Sequence, residues 1–109
     1  MARRIRWTPG ALRDLEATAD YIAQDSPRYA AAIVREVRTA AASLTKFALR
    51  GRPVPEFSTA GVRELLIRNY RLIYQVYAEE VAIIAFIHGA RDLWLFWERE
   101  GRPRPENSD

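Results

Sequence analysis

The chain has 109 residues, a length that suits one domain over 1–109, and its hydrophobic fraction of 49% argues against a disordered polypeptide. It has no cysteine and a single histidine, His88, so we expect no disulfide framework, no metal site and no cofactor. No apolar signal core follows the basic N-terminus, and no apolar run is long enough to span a bilayer. We therefore expect a soluble, cytoplasmic protein.

The positive charge of the chain is carried almost entirely by arginine. Lysine and arginine total 17 against 14 aspartates and glutamates, a net charge of +3, and every cation except Lys46 is arginine. This bias has two interpretations: a GC-rich genome, or the use of the planar guanidinium for phosphate and carboxylate partners. Residues 28–52 form a basic stretch whose only acid is Glu36, a composition that suits contact with nucleic acid or an acidic protein.

The first half of the chain indicates a short strand followed by two helices. Residues 5–7 alternate in polarity, as a short strand does. Thr8-Pro9 and Ser26-Pro27 each place a capping hydroxyl before a proline at the first helical position. Because the link between the two helices is short, we expect an antiparallel helical hairpin. Its apolar residues recur every three or four positions: Leu12, Leu15, Ala19 and Ile22, then Ile33, Val37, Ala40, Leu44 and Phe47.

The second half of the chain changes to strand composition. Residues 62–67, 70–77 and 81–88 are rich in aromatic and β-branched side chains, and short turns separate them. We therefore predict an α+β fold, with a short N-terminal strand and the helical hairpin packed on a three-to-four-stranded antiparallel sheet. Alternation along the middle strand directs Tyr70, Leu72, Tyr74 and Val76 towards the helices. It leaves an open face, a candidate binding surface, formed by Arg71, Ile73, Gln75 and Tyr77.

The C-terminal region begins with five consecutive apolar residues, 93–97. One interpretation is that they fold back on the sheet as core. The other is that Trp94 and Trp97 anchor a partner, since tryptophan is enriched in interface hot spots. Residues 101–109 contain two prolines and no apolar pattern, so we expect a frayed tail.

Three sequence blocks match a known family in order and spacing. They are residues 62–65 (VREL), 69–74 (NYRLIY) and 87–91 (IHGAR), and the opening TPGA at 8–11 adds to them. This pattern, with strand, two helices and meander in that order, resembles the RelE/ParE superfamily of type II toxin–antitoxin toxins. The resemblance covers residues 5 to about 93.

The resemblance implies one of two targets. The RelE-like branch cleaves mRNA on the ribosome, and in that case Arg63, Arg71 and His88 would be the catalytic residues. That branch commonly places a tyrosine, or a His-Tyr pair, just after the last strand, whereas this chain has Gly89-Ala90-Arg91. The sequence there is closer to the ParE-like branch, which poisons DNA gyrase without chemistry of its own.

On the ParE-like interpretation we expect a target-binding set made of Arg63, Arg71, Tyr77, His88 and Arg91. The competing interpretation of the arginines is structural, as exposed ion pairs with Glu64, Glu79 or Asp92 that contribute only about 0–1 kcal/mol each.

The resemblance also implies an antitoxin partner of the ParD type, through which the complex would bind DNA. The residues expected to contact it are Tyr29, Ile73, Trp94 and Trp97. A third possibility is a non-toxic chain that serves only as a binding module for its antitoxin.

Overall fold

The computed structural model describes residues 2–57 and 61–106. Within these residues a central sheet separates two helical layers. No helix in these two ranges has both the length and the apolar composition needed to cross a bilayer. In chain order the elements are β1 (Arg4–Trp7), α1 (Pro9–Ala23), α2 (Pro27–Ser43), β2 (Arg52–Pro53), β3 (Val62–Ile67), β4 (Tyr70–Val76), β5 (Glu80–His88) and α3 (Leu93–Arg99).

The sheet has the strand order β1-β5-β4-β3-β2. The pairs from β2 to β5 are antiparallel, whereas β1 pairs with β5 in parallel. The α+β prediction is confirmed, but the sheet has five strands and is mixed rather than three-to-four-stranded and antiparallel. The predicted N-terminal strand β1 and the unpredicted strand β2 form the two edges of the sheet. A proline in β2 is tolerated there because one side of an edge strand needs no ladder hydrogen bond. Neither edge strand is long enough for its residue pattern to reveal how it pairs.

The two helix starts form as the sequence predicts. Thr8 Oγ1 accepts the N–H of Ala11 at 3.2 Å, and Ser26 Oγ accepts the N–H of Tyr29 at 3.1 Å. Three residues separate the helices, which pack on each other and confirm the helical hairpin. Two of the apolar positions expected in its core are exposed: Leu12 on α1, and Phe47, which lies beyond the end of α2.

The face of β4 expected to meet the hairpin does so. Leu72, Tyr74 and Val76 are buried in one core cluster with residues from both helices, and Tyr70 packs against it. The Tyr74 hydroxyl donates to the carbonyl of Ala48 at 2.9 Å and accepts the N–H of Gly51 at 2.9 Å. A Cβ at position 51 would lie 2.6 Å from the carbonyl oxygen of Glu64, so this close approach requires glycine.

The opposite face of β4, expected to be open, is covered. Ile73 is 0% exposed and belongs to a second core cluster with Phe57 and three residues of α3. The members from α3 are Leu93, Phe96 and Trp97. The interpretation of residues 93–97 as core therefore holds for Leu93, Phe96 and Trp97, whereas Trp94 is partly buried and Leu95 is exposed. The prediction of an open binding face is wrong because the apolar run forms a helix that packs back on the sheet.

The residues after α3 are also packed. Residues 101–106, called here the C-terminal arm, carry Arg102, whose guanidinium donates to both carboxylate oxygens of Asp14 at 2.6 and 2.9 Å. The indole Nε1 of Trp97 donates to the carbonyl of Pro103, and Gln75 donates to the carbonyl of Glu106. The expectation of a frayed tail does not hold for residues 101–106, and 107–109 lie outside the described residues.

Candidate functional site

The β3–β4 turn and the end of β5 meet at one end of the sheet. In the antiparallel register Tyr70 lies opposite His88, and their ring centroids are 5.2 Å apart. The N–H of Gly89 donates to the carbonyl of Asn69 at 2.7 Å, and a Cβ on that glycine would lie 3.2 Å from the same oxygen. This close approach of two turns brings Arg71, His88 and Arg91 to the same end of the sheet.

Arg71 is buried in a network of carboxylates. Its Nε donates to Glu64 at 2.6 Å, and its two terminal nitrogens donate to Glu56 at 2.7 and 3.0 Å. The other oxygen of Glu64 accepts from Arg52 at 2.7 Å. The hydrogen bonds that Arg71 donates to Glu56 raise the pKa of Arg71 and lower the pKa of Glu56. The ion-pair interpretation therefore holds for Arg71, and a phosphate could reach this guanidinium only by displacing a carboxylate.

Arg63 and Tyr77 lie away from that end of the sheet. Arg63 donates to the carbonyl of Gly51 at 2.7 Å and so holds the loop before β2 against β3. Tyr77 follows the other end of β4, roughly 20 Å from Tyr70 at the usual rise per residue of a strand. Its hydroxyl donates to Gln75 at 2.9 Å. The five predicted target-binding residues therefore do not form one site.

His88 and Arg91 are the predicted site residues that remain accessible. Nδ1 of His88 accepts the N–H of Ala90 at 3.1 Å, which leaves Nε2 as the nitrogen able to meet a ligand. The Arg91 guanidinium lies over the Phe96 ring, 4.8 Å from its centroid. Asp92 instead caps α3 by accepting the N–H of Leu95. No carboxylate in residues 2–57 or 61–106 forms an ion pair with Arg91, so the structural interpretation fails for this arginine.

Two depressions open on this end of the sheet, and Tyr70 and His88 line both. The first lies beside the β3–β4 turn and is lined by the basic side chains of Arg52, Arg68 and Arg71. The second, of about 730 Å³, lies between α1 and α3. In the described part of the chain, no group of histidine, aspartate or glutamate side chains is arranged to hold a metal ion.

The four residues expected to contact an antitoxin separate into two pairs. Tyr29 is 39% exposed and Trp94 is partly buried, so both present surface to a partner. Ile73 is buried beneath α3, and Trp97, which belongs to α3, is buried against Phe57, so the prediction that they contact a partner conflicts with this arrangement of the chain. Alternation along a strand assigns a residue to a face but does not say which faces are covered.

Two residues at this end of the sheet, Arg68 and Tyr21, are not among the site residues predicted from the sequence. Arg68, in the β3–β4 turn, forms an ion pair with Glu36 of α2 at 2.6 Å and lies over the ring of Tyr29. Tyr21 of α1 is 72% exposed and lines the second depression. Helical periodicity places Tyr21 outside the apolar stripe, but only the tertiary structure shows that Tyr70 and His88 lie beside it.

The lowered carboxylate pKa values predict that the fold weakens in acid. Arginine partners lower the pKa of Glu36, Glu56 and Glu80 below the ordinary 4.5, so the folded chain binds fewer protons than the unfolded chain in acid. The stabilisation is present above about pH 4.5 and is lost as the pH falls through the lowered values. Thermal unfolding should show a midpoint that drops below about pH 4.5, with a shallower drop in Glu56→Gln. Equal drops in both proteins would contradict a contribution from the Glu56–Arg71 pair.

Comparison with known proteins gives the same fold and names a family. The family model that matches is described as the ParE toxin of the type II toxin–antitoxin system parDE, and it aligns with residues 5–93. Toxin RelE2 of Caulobacter vibrioides is 39% identical over 89 residues, covering 81% of this chain and 97% of the relative. A putative toxin of Sinorhizobium fredii, Y4kP, is 36% identical over 94 residues, covering 84% of this chain and 93% of the relative.

Solved structures agree with this likeness. A chain of the chromosomal ParDE system of P. aeruginosa superposes with a TM-score of 0.66 at 24% identity, covering 80% of this chain and 96% of that one. A chain of the RelBE2 toxin–antitoxin complex of Mycobacterium tuberculosis gives a TM-score of 0.56 at 28% identity, covering 81% and 99%. With the family model matched over most of the sequence, the chain belongs to the ParE toxin family of type II toxin–antitoxin systems, within the RelE/ParE superfamily.

Proposed function

We propose that this toxin inhibits DNA gyrase in the cytoplasm by surface contacts, and that an antitoxin of the ParD type neutralises it. The observation that carries the proposal is that the two arginines that a ribonuclease of this fold would use already have partners within the chain. Two carboxylates occupy Arg71 in the depression that it shares with His88, and backbone carbonyls occupy Arg63, which does not line that depression. Attack of a ribose hydroxyl on phosphate needs a proton acceptor, a proton donor and a free cation close together.

The segment after β5 supports the same proposal. Gly89, Ala90 and Arg91 stand where the ribonuclease branch commonly carries a tyrosine, so this segment supplies no phenol that could act as an acid or base. What the segment does offer is an exposed guanidinium on Arg91 with no carboxylate partner among the described residues. Such a group suits protein or nucleic-acid contact rather than proton transfer.

A gyrase assay tests the proposal directly. We expect the purified full-length chain to inhibit supercoiling of relaxed plasmid by gyrase, and addition of the protein encoded beside its gene as antitoxin to restore supercoiling. Arg91→Ala should inhibit about tenfold less, as an interface hot spot would. The matched control is Arg38→Ala, which removes the same charge from an exposed position on α2. Undiminished supercoiling at a high excess of wild-type chain would refute the proposal.

The ribonuclease alternative rests on one specific observation, the 39% identity to a relative named Toxin RelE2. It predicts codon-linked mRNA cleavage on translating ribosomes and no effect on supercoiling. Expression of the chain without an antitoxin separates gyrase inhibition and mRNA cleavage from the third possibility, a non-toxic binding module. Only the module would leave bacterial growth normal.

A further inference from the structure

The depression between α1 and α3 is lined by aromatic and cationic side chains, among them Tyr70, which also packs against the first core cluster. We call it the α1–α3 cleft, and the residues that define its character are Tyr21, Tyr70, His88, Arg13 and Arg91. Tyr21 projects from α1 with 72% of its surface exposed. Tyr70 is rigid by comparison, because its ring stacks on Phe86 at 5.1 Å and meets the His88 ring in a T-shaped arrangement at 5.2 Å.

The charged side chains of the cleft that lack an ion-pair partner among the described residues are arginines. Arg13 and Arg91 are both exposed, and neither forms an ion pair within residues 2–57 and 61–106. The cleft also holds two carboxylates, Asp14 and Glu100, and both accept hydrogen bonds from Arg102 of the C-terminal arm. Together with Arg102, the cleft has three arginines against two carboxylates, and this small positive excess attracts an anion.

We propose that the α1–α3 cleft binds single-stranded DNA, with bases stacked on Tyr21 and Tyr70 and phosphates held by Arg13 and Arg91. Aromatic platforms beside cations are the combination that binds single strands without sequence preference, because every base has a π-face and every nucleotide a phosphate. Tyrosine and arginine are also enriched in protein interfaces, so an acidic protein segment is the competing occupant, which competition by polyglutamate distinguishes from DNA. The inference rests on the proposed function, since gyrase, the proposed target, acts on DNA.

Binding of a labelled oligonucleotide tests the cleft without gyrase. We expect a fluorescent oligothymidylate of about 12 nucleotides to raise its anisotropy when the full-length chain is added. Tyr21→Ala should weaken binding about fivefold or more through lost stacking, whereas Tyr21→Phe should bind as the wild type does. Arg91→Ala should weaken binding and reduce the slope of log affinity against log salt by about 0.7. Arg38→Ala, with the same loss of charge outside the cleft, should have a smaller effect.

Several results would overturn the inference. An abasic oligonucleotide of the same charge that binds equally well would show that stacking contributes nothing. Polyglutamate that competes as well as the oligonucleotide would favour an acidic protein partner. RNA that binds about tenfold more tightly than DNA would overturn the assignment to DNA. Wild-type affinity in Tyr21→Ala, with its unfolding midpoint unchanged, would remove the cleft from the site. None of these binding experiments contains gyrase. A chain that inhibits gyrase but does not bind the oligonucleotide would therefore refute this inference and leave the proposed function intact.

Discussion

Replacing Arg71 with alanine is expected to lower the free energy of unfolding by about 3 kcal/mol. The guanidinium is 9% exposed and joins Glu64, whose side chain is 0% exposed, to Glu56 in the segment before β3. Its removal leaves a buried carboxylate with Arg52 as its remaining partner. An ion left without its partner in the interior costs far more than an exposed ion pair contributes. Denaturant unfolding followed by tryptophan fluorescence measures the loss.

A double variant provides the control for this prediction. Arg71→Met with Glu64→Leu removes both charges together and fills the space with apolar groups, so it should be more stable than Arg71→Ala alone. An Arg71→Ala chain as stable as the wild type would show that the network contributes little to the fold. Loss of toxicity in Arg71→Ala is therefore no evidence for target contact unless the variant is shown to be folded. Arg91→Ala, at an exposed position, does not have this ambiguity.

Replacing Trp97 with alanine is expected to cost about 3–5 kcal/mol, the range for a large aromatic residue removed from a core. The indole is 3% exposed and meets the Phe57 ring edge-on at a centroid distance of 5.0 Å. Its Nε1 also donates to the carbonyl of Pro103, so the variant should loosen the C-terminal arm as well. Thermal unfolding measures the first effect, and the rate of proteolysis after residue 100 measures the second.

Trp94 offers the matched control on the same helix. It meets Phe57 at 5.2 Å but is only partly buried, so Trp94→Ala should destabilise the chain less than Trp97→Ala. Equal losses at the two positions, or a Trp97→Ala chain with an unchanged midpoint, would contradict the burial on which the prediction depends. A smaller stability loss also makes Trp94 the better position at which to test antitoxin contact.

Both large effects fall on residues that the sequence pattern marked for partners. Arginine in a family motif and tryptophan near the end of the chain are enriched at interfaces, but the same side chains fill cores and neutralise buried acids. A structural role differs from an interface role in having a partner within the chain, and that partner is distant in sequence. Glu56 is 15 residues from Arg71, and Asp14 is 88 residues from Arg102. No local pattern reports contacts of that separation.

The local architecture follows from the sequence by itself. A threonine or serine followed by proline sets both helix starts, because a capping oxygen and a proline act within one helical turn. Alternation along β4 assigned Tyr70, Leu72, Tyr74 and Val76 to the hairpin side, because side chains of a strand point to opposite faces by geometry alone. The motif blocks identified the family, since they reflect the same strand register and turns.

Tertiary structure alone decided which surfaces remain exposed. The back of the sheet was covered because α3 and the C-terminal arm fold over it, and that docking depends on long-range contacts such as Arg102 with Asp14. The same packing dispersed Arg63, Arg71 and Tyr77, and it assembled the α1–α3 cleft from Tyr21, Tyr70, His88 and Arg91. A sequence records what each side chain can do, whereas burial and charge pairing determine which of them are free to meet a partner.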